Sequence, residues 1–202
     1  MKKVGKLVIA KTEDLVYLAN LKKFIFVSAI VFFLSAIYGF FFVSLYPGSA
    51  QEFISAFREL SQKIVGLRQH ELILLIFINN SAKIIILTVL GVLFGVAPVV
   101  FLAFNGFLLG VVAFIAQSEN SWLSLALGIL PHGLLEIPIL IIAGAIGLKL
   151  GVVFIQSLKE QKNIIRQEFT KSLKFLGAIL IPLLLFTAFI EVFITKSLIY
   201  LI

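Results

Sequence analysis

Long and nearly unbroken apolar runs follow one another along this 202-residue chain, and they constrain its fold more than any other feature. An α-helix needs about 20 apolar residues to cross the hydrocarbon core, and it satisfies its own backbone polar groups there. A transmembrane barrel would show ~10-residue segments of alternating hydrophobicity instead. Hydrophobic residues make up 61% of the chain, against about 45–50% in soluble domains. We therefore predict an all-α fold, a polytopic transmembrane helical bundle.

The runs divide the chain into a basic arm and one membrane domain. Residues 1–23 form a basic amphipathic arm, and residues 24–202 form a single transmembrane domain. Phe and aliphatic residues recur at spacings of four, three, four and three over residues 49–70, which predicts an interfacial amphipathic helix. The expected segments are spans near 24–46, 72–91, 95–116 and 175–195, a tight junction at Gly91–Gly95, and a basic loop at 156–174.

Residues 122–155 fit no whole number of spans. This stretch has 34 residues, whereas one span needs ~20 and two need ~40. Small residues and prolines interrupt it, namely Gly128, Pro131, Gly133 and Pro138. We predict a half-span, an unwound or re-entrant turn at Pro131-His132-Gly133, and one full span after it. The predicted topology is five full spans plus this broken half-span, with six full spans as the alternative.

Basic residues predict the orientation of the chain. The N-terminal arm carries six Lys, and the 156–174 segment carries five Lys or Arg. Because basic segments stay in the cytoplasm, both are expected on that side of the cell membrane, as five spans plus the half-span require. The net charge of +7 comes almost wholly from these two segments, so it does not indicate a nucleic-acid partner. The partner expected from composition is the lipid bilayer.

Polar side chains within the apolar stretches are the candidate intramembrane site. They are Asn79, Asn80, Lys83, Asn105, His132, Glu136 and Glu191. Such groups are costly at membrane depth. Residues four apart share a helical face, as His132 does with Glu136. One interpretation is a structural polar core in which Lys83 neutralises a carboxylate. The other is a cavity for a substrate or an ion at the broken helix. Lys149, near a membrane end, is expected to extend toward water.

A metal site is the sharper form of the second interpretation. His132, Glu136 and Glu191 would supply one nitrogen and two carboxylates to a divalent metal ion. Neither of the two His residues begins the metalloprotease helix motif. The chain has no cysteine, which excludes iron–sulfur clusters and thiolate zinc sites. No Gly-rich phosphate loop or nucleophile elbow is present, so the sequence indicates no catalysis.

After residue 70 the chain resembles the stage II sporulation protein M family. The resemblance rests on these segments: Phe77-Ile-Asn-Asn80, Gly91-x-x-x-Gly95, Asn105-Gly106-x-x-x-Gly110, Leu130-Pro-His-Gly-Leu-Leu-Glu136, Ala143-Gly-Ala-x-Gly147 and Ala188-Phe-Ile-Glu191. It covers a family-like core at 72–155 and the last span. In spore-forming bacteria, the family member is a membrane protein needed for engulfment. It works there as a scaffold beside a peptidoglycan-degrading enzyme and a second membrane-anchored protein.

The sequence leaves three hypotheses about function. The resemblance implies a non-enzymatic membrane scaffold or complex subunit, with other membrane or cell-envelope proteins as partners. The polar residues allow a transporter or channel component built on His132, Glu136 and Glu191. A metal-dependent intramembrane enzyme is the third. A small-residue ridge at Gly144, Gly147 and Gly151 can pack within the chain or between copies, and a two-fold homodimer is expected.

Overall fold

The computed structural model describes residues 13–46, 66–118, 122–160 and 163–195, together with positions 48, 51, 53, 55 and 59. The side chains of residues 118, 122–135, 160, 194 and 195 are not part of this description. All regular structure in the described ranges is helical, which confirms the predicted all-α class. The elements, in order, are α1 (Lys22–Leu45), α2 (Gln69–Leu90), α3 (Val96–Ser118), α4 (Trp122–Glu160), α5 (Ile164–Phe175), a π-helical turn (Leu176–Leu180), α6 (Ile181–Ile190) and a second π-helical turn (Glu191–Thr195).

Five of the described helical segments are long and apolar enough to cross a membrane. They are Lys22–Leu45, Gln69–Leu90, Val96–Gln117, Glu136–Lys159 and Ile164–Phe193. The last segment joins α5, the first π turn, α6 and the start of the second π turn into one helical rod. The predicted polytopic helical bundle is thereby confirmed.

The predicted break in the fourth apolar stretch is wrong. The backbone is helical from Trp122 to Glu160 without interruption, through Pro131, Gly133 and Pro138. A proline removes only one backbone hydrogen bond, whereas an unwound turn would leave several peptide groups without partners in hydrocarbon. The resulting helix of 39 residues is about 58 Å long, at 1.5 Å per residue. It therefore extends well beyond a hydrocarbon core of ~30 Å.

The basic segment at 156–174 is also not the predicted loop. The end of α4 reaches Glu160, and α5 begins at Ile164. Ile165, Phe169 and Ser172 recur at spacings of four and three, and this face of α5 lies against the bundle. The amphipathic pattern makes a helix more favourable than a loop here, because it buries the apolar side chains and leaves the basic ones outside.

A five-residue turn joins α2 to α3, as predicted for the Gly91–Gly95 junction. Phe94 and Gly95 both have positive φ, of 56° and 71°. A β-carbon at residue 95 would also lie against the backbone of Leu148 on α4. Glycine is suited to this position because it adopts positive φ without steric cost. The turn allows α2 and α3 to contact each other and to pack against α4.

Helix α4 lies at the centre of the bundle. It contacts every other α-helix among the described elements. Of its most apolar 18 residues 56% are buried, against 17% for the corresponding residues of α1. Glycines allow the closest contacts: Gly147 lies against Gly91, Leu87 and Pro98, and Gly151 lies against Gly95. The small-residue ridge on α4 therefore packs within the chain.

The two basic segments lie at the same end of the bundle. The rings of Tyr17 and Phe175 are 5.1 Å apart, which joins the N-terminal segment to α5. This agrees with the four candidate spans between them. Which side of the membrane this end faces stays a prediction. Residues 1–12 of the arm lie outside the described residues. Most of the 49–70 helix does too, although the Phe53 ring lies 5.9 Å from that of Phe107.

Candidate functional site

Three of the predicted polar residues meet around one small cavity between α2, α4 and α6. Asn80, Lys83 and Glu136 form its polar wall. Its apolar wall consists of Ile84, Ile139, Leu140 and Leu184. The cavity volume is about 10 Å³, which is roughly the space that one water molecule requires. The bundle thus brings polar groups from two helices together around one small space.

Lys83 and Asn80 are bonded to each other within α2. The Lys83 Nζ donates a hydrogen bond to Asn80 Oδ1 over 3.1 Å, and Asn80 is only 6% exposed. The spacing of three residues places both side chains on the face of α2 that meets α4 and α6. Asn79, the other predicted asparagine of α2, is exposed. The buried amide is therefore Asn80.

Glu191 completes the charged surroundings of Lys83. It begins the second π turn, which contacts α2 and α4, and its carboxyl interacts electrostatically with Lys83. Glu136 lines the same cavity as Lys83, and this residue is not without a partner. The site thus holds one ammonium and two carboxyl groups. A π-helical turn is a frequent feature of functional positions in helices.

Asn105 lies apart from this cluster. Its side-chain Nδ2 donates to the Phe101 carbonyl oxygen on the same helix, over 2.8 Å. An Asn in a helix that finds no partner across the bundle commonly satisfies itself on the carbonyl four residues earlier. Asn105 is therefore a locally satisfied residue of α3.

The predicted metal ligands are only partly placed. His132 and Glu136 are one helical turn apart on α4, but the His132 side chain lies outside the described side chains. Among the side chains that the structure describes, no three His, Cys, Asp or Glu residues are grouped closely enough to hold a metal ion. The set His132, Glu136 and Glu191 stays a prediction.

The sequence did not reveal a second polar cluster, at the end of the bundle near Tyr17. Lys149 does not extend toward water as expected. Its Nζ lies 2.6 Å from Glu168 Oε1 and 4.9 Å from the centre of the Tyr17 ring. Only 16% of the Lys149 side chain and 14% of the Glu168 side chain are exposed. This ion pair joins α4 to α5.

Tyr17 is held in the same cluster by Ser172. Their hydroxyl oxygens are 2.9 Å apart, and Ser172 Oγ donates to the Glu168 carbonyl oxygen over 2.9 Å. Since the Ser172 proton is used there, the Tyr17 hydroxyl is the donor between them. Burial raises the pKa of Tyr17 to about 12, and the nearby Glu168 carboxylate adds to the rise, while the bond to Ser172 opposes it. A possible sequence signal was an acidic residue, Glu168, next to the apolar face of α5.

Comparison with known proteins confirms the family that the sequence resembles. The model of a family described as stage II sporulation protein M matches residues 28–196. An uncharacterised protein of Methanocaldococcus jannaschii is 34% identical over 123 residues, which are 59% of this chain and 69% of that protein. No solved structure matches the chain.

Proposed function

Because the chain belongs to the stage II sporulation protein M family, we propose that it is a non-catalytic membrane scaffold, a subunit that holds other proteins at the membrane. Its intramembrane polar cluster fixes the arrangement of the helices rather than carrying a substrate. Membrane or cell-envelope proteins are the proposed partners, and a two-fold homodimer is the proposed assembly.

The size of the cavity beside Lys83 is the observation that supports this proposal most. A volume of about 10 Å³ accommodates one water molecule and no solute. The ammonium is bonded to Asn80 and attracts the Glu191 carboxyl group, so it already has partners within the protein. The attraction between Lys83 on α2 and Glu191 on the last rod acts between helices, and polar residues between transmembrane helices hold them together in this way.

Close backbone contacts favour a rigid bundle. Gly147 of α4 lies against the end of α2 and the start of α3. Gly106 and Gly110 of α3 lie against the backbone of α1. Opening a path along the α2–α4 contact would separate Gly147 from Leu87 and Gly91 and lose these dispersion contacts. A scaffold requires no such movement.

The first experiment measures flux through the purified full chain in liposomes. Proton, sodium and potassium flux are compared for the native chain, Glu136→Gln, Asn79→Ala and protein-free liposomes. Asn79 is the matched control because it lies on the same helix as Lys83 but is exposed. A scaffold gives the same flux in all four samples. Flux in the native chain that is lost in Glu136→Gln and kept in Asn79→Ala contradicts the proposal.

The second experiment measures assembly. The tagged full chain is cross-linked in host membranes and purified, and the co-purified proteins are quantified by mass spectrometry for the native chain and Glu136→Gln. A scaffold recovers the same partners in constant proportion from both samples. Recovery of the chain alone, without any protein in constant proportion, contradicts it.

A transport role is the second candidate, and the charge count at the cavity favours it. Two carboxyl groups, Glu136 and Glu191, accompany one ammonium. Ionisable groups at membrane depth frequently mark ion or proton pathways. In this case, the excess carboxyl group would accept a proton or a cation in transit, and Glu191→Gln would abolish the flux that the liposome experiment detects.

The metal hypothesis has its own measurement. Plasma mass spectrometry gives the metal content of the detergent-purified chain, with His132→Ala and Glu136→Gln measured beside it. The scaffold proposal expects no stoichiometric metal. A stoichiometric metal that both variants lose would favour a cation site, and with it transport or metal-dependent catalysis.

A further inference from the structure

The outer face of α5 carries a basic stripe, which we define as Arg166, Lys171 and Lys174. All three side chains are exposed, and the spacing of three residues puts Lys171 and Lys174 at neighbouring positions of one face. They line a shallow hollow of about 550 Å³. The other residues of the hollow are uncharged: Asn163, Gln167 and Thr170. The acidic residue of α5, Glu168, lies on the opposite face in its ion pair with Lys149.

The length of the last helical rod places this stripe at the membrane surface. The segment Ile164–Phe193 has 30 residues, so it is about 45 Å long. The hydrocarbon core takes only ~30 Å of it. Because the basic residues of the rod all lie in its first three turns, those turns extend past the hydrocarbon into the headgroup region. Leu173 is 41% exposed, and the exposed Gly177 and Ala178 continue this face toward the hydrocarbon.

The basic stripe forms no close ion pair with the part of the chain that the structure describes. None of the three residues has an ion-pair partner within 4 Å there, in contrast to Lys149. Lys171 and Lys174 also border a second groove, which Glu13 and Asp14 line as well. Arg166 does not border that groove, and the charged residues that line its own hollow are all basic.

We propose that the basic stripe binds the phosphate group of an anionic membrane lipid. A guanidinium and two ammonium groups supply the charged hydrogen-bond donors that a phosphate requires. The acyl chains of the same lipid would extend along the exposed apolar surface above Lys174. Basic pockets at the ends of transmembrane helices recognise lipid headgroups in this way.

The test is native mass spectrometry of the full chain in detergent, titrated with phosphatidylglycerol and, in parallel, phosphatidylcholine. The variant Arg166→Gln/Lys171→Gln/Lys174→Gln removes the stripe. The control Lys22→Gln/Lys23→Gln/Lys159→Gln removes three exposed charges from the same end of the bundle. Since all six side chains are exposed, both variants should fold, and thermal unfolding by circular dichroism checks this.

The native chain is expected to bind phosphatidylglycerol more tightly than phosphatidylcholine. The stripe variant should lose at least about tenfold in this affinity, and the control should stay within about twofold. An equal loss in both variants would show diffuse attraction without a site, and no loss in the stripe variant would also overturn the proposal. Inorganic phosphate forms a third arm: if it displaces the lipid at micromolar concentration, the ligand is free phosphate and the lipid proposal is wrong.

Discussion

The Lys149 ammonium lies 2.6 Å from the Glu168 carboxylate, and both side chains are largely buried between α4 and α5. The pair connects the central helix to the last membrane rod at the end of the bundle where the N-terminal segment also packs. Tyr17 covers it with its ring and donates to Ser172. Three separate parts of the chain are thus joined by one polar cluster.

Breaking this pair on one side should destabilise the protein strongly. Lys149→Met leaves the Glu168 carboxylate buried without its partner, so we expect the free energy of unfolding to fall by about 3 kcal/mol. Reversible unfolding of the detergent-solubilised chain measures this. The double variant Lys149→Met/Glu168→Leu should recover most of the loss. A double variant that is no more stable than the single one would contradict this account of the pair.

The exposed ion pair between Arg68 and Glu71 is the matched control for that experiment. Its nitrogen and oxygen are 2.7 Å apart, but 73% of the Arg68 side chain is exposed. Solvent screens such pairs, so Arg68→Gln should leave the unfolding transition unchanged.

Stability should decline at high pH because of Tyr17. Its pKa rises from 10.0 to about 12 on folding, chiefly through burial. The folded state therefore keeps the phenol proton that the unfolded chain has already lost. This contribution is fully present below pH 10 and is lost as the pH rises from about 10 to about 12. By linkage, two pKa units correspond to about 2.7 kcal/mol at most.

The pH dependence is measured by chemical unfolding at several pH values, with tyrosinate absorbance as an independent readout. Tyr17→Phe should flatten the stability curve between pH 10 and 12. Tyr38→Phe is the control, since Tyr38 is exposed. If the decline persists unchanged in Tyr17→Phe, another group is responsible for it.

Removing the hydrogen bond between Lys83 and Asn80 should destabilise the protein, whereas a change at the neighbouring exposed Asn79 should not. Lys83→Met leaves the buried Asn80 amide without its donor, which should lower the free energy of unfolding by about 1–3 kcal/mol. Asn79→Ala, one position earlier on the exposed face, should change it little. Thermal unfolding of both variants tests this, and equal losses in the two would show that the Lys83–Asn80 bond is not the cause.

Two glycines should respond in opposite directions to alanine. A β-carbon at Gly106 would clash with the backbone oxygen of Phe32, so Gly106→Ala must separate α1 from α3 and is expected to lower the unfolding temperature. A β-carbon at Gly177 meets nothing within 4 Å. Gly177→Ala should therefore stabilise the helix by about 0.5–1 kcal/mol, because alanine loses less backbone entropy. A stabilising Gly106→Ala would contradict the close packing of α1 on α3.

Much of the candidate site could be read from the polar residues, but their grouping could not. Asn80, Lys83 and Glu136 were all expected inside the membrane, and they line one cavity. Which of the two neighbouring asparagines faces inward was decided by the rotation of α2 against α4 and α6. Asn105 does not line this cavity and donates instead to the Phe101 carbonyl oxygen on its own helix.

The apolar runs by themselves determined an all-helical membrane bundle, because in hydrocarbon each long segment must satisfy its own backbone. The sequence also resembled the family that the comparison confirms, and it predicted the tight turn at Gly91–Gly95. Only the tertiary structure decided that α4 continues through Pro131. The helix loses one backbone hydrogen bond there, which costs less than the several unpaired peptide groups of an unwound turn. The tertiary structure also decided that Lys149 lies inside, since a lysine extends to water only where no acid is packed against it. Its partner Glu168 lies on the next helix along the chain, and whether two such residues meet depends on how the helices pack.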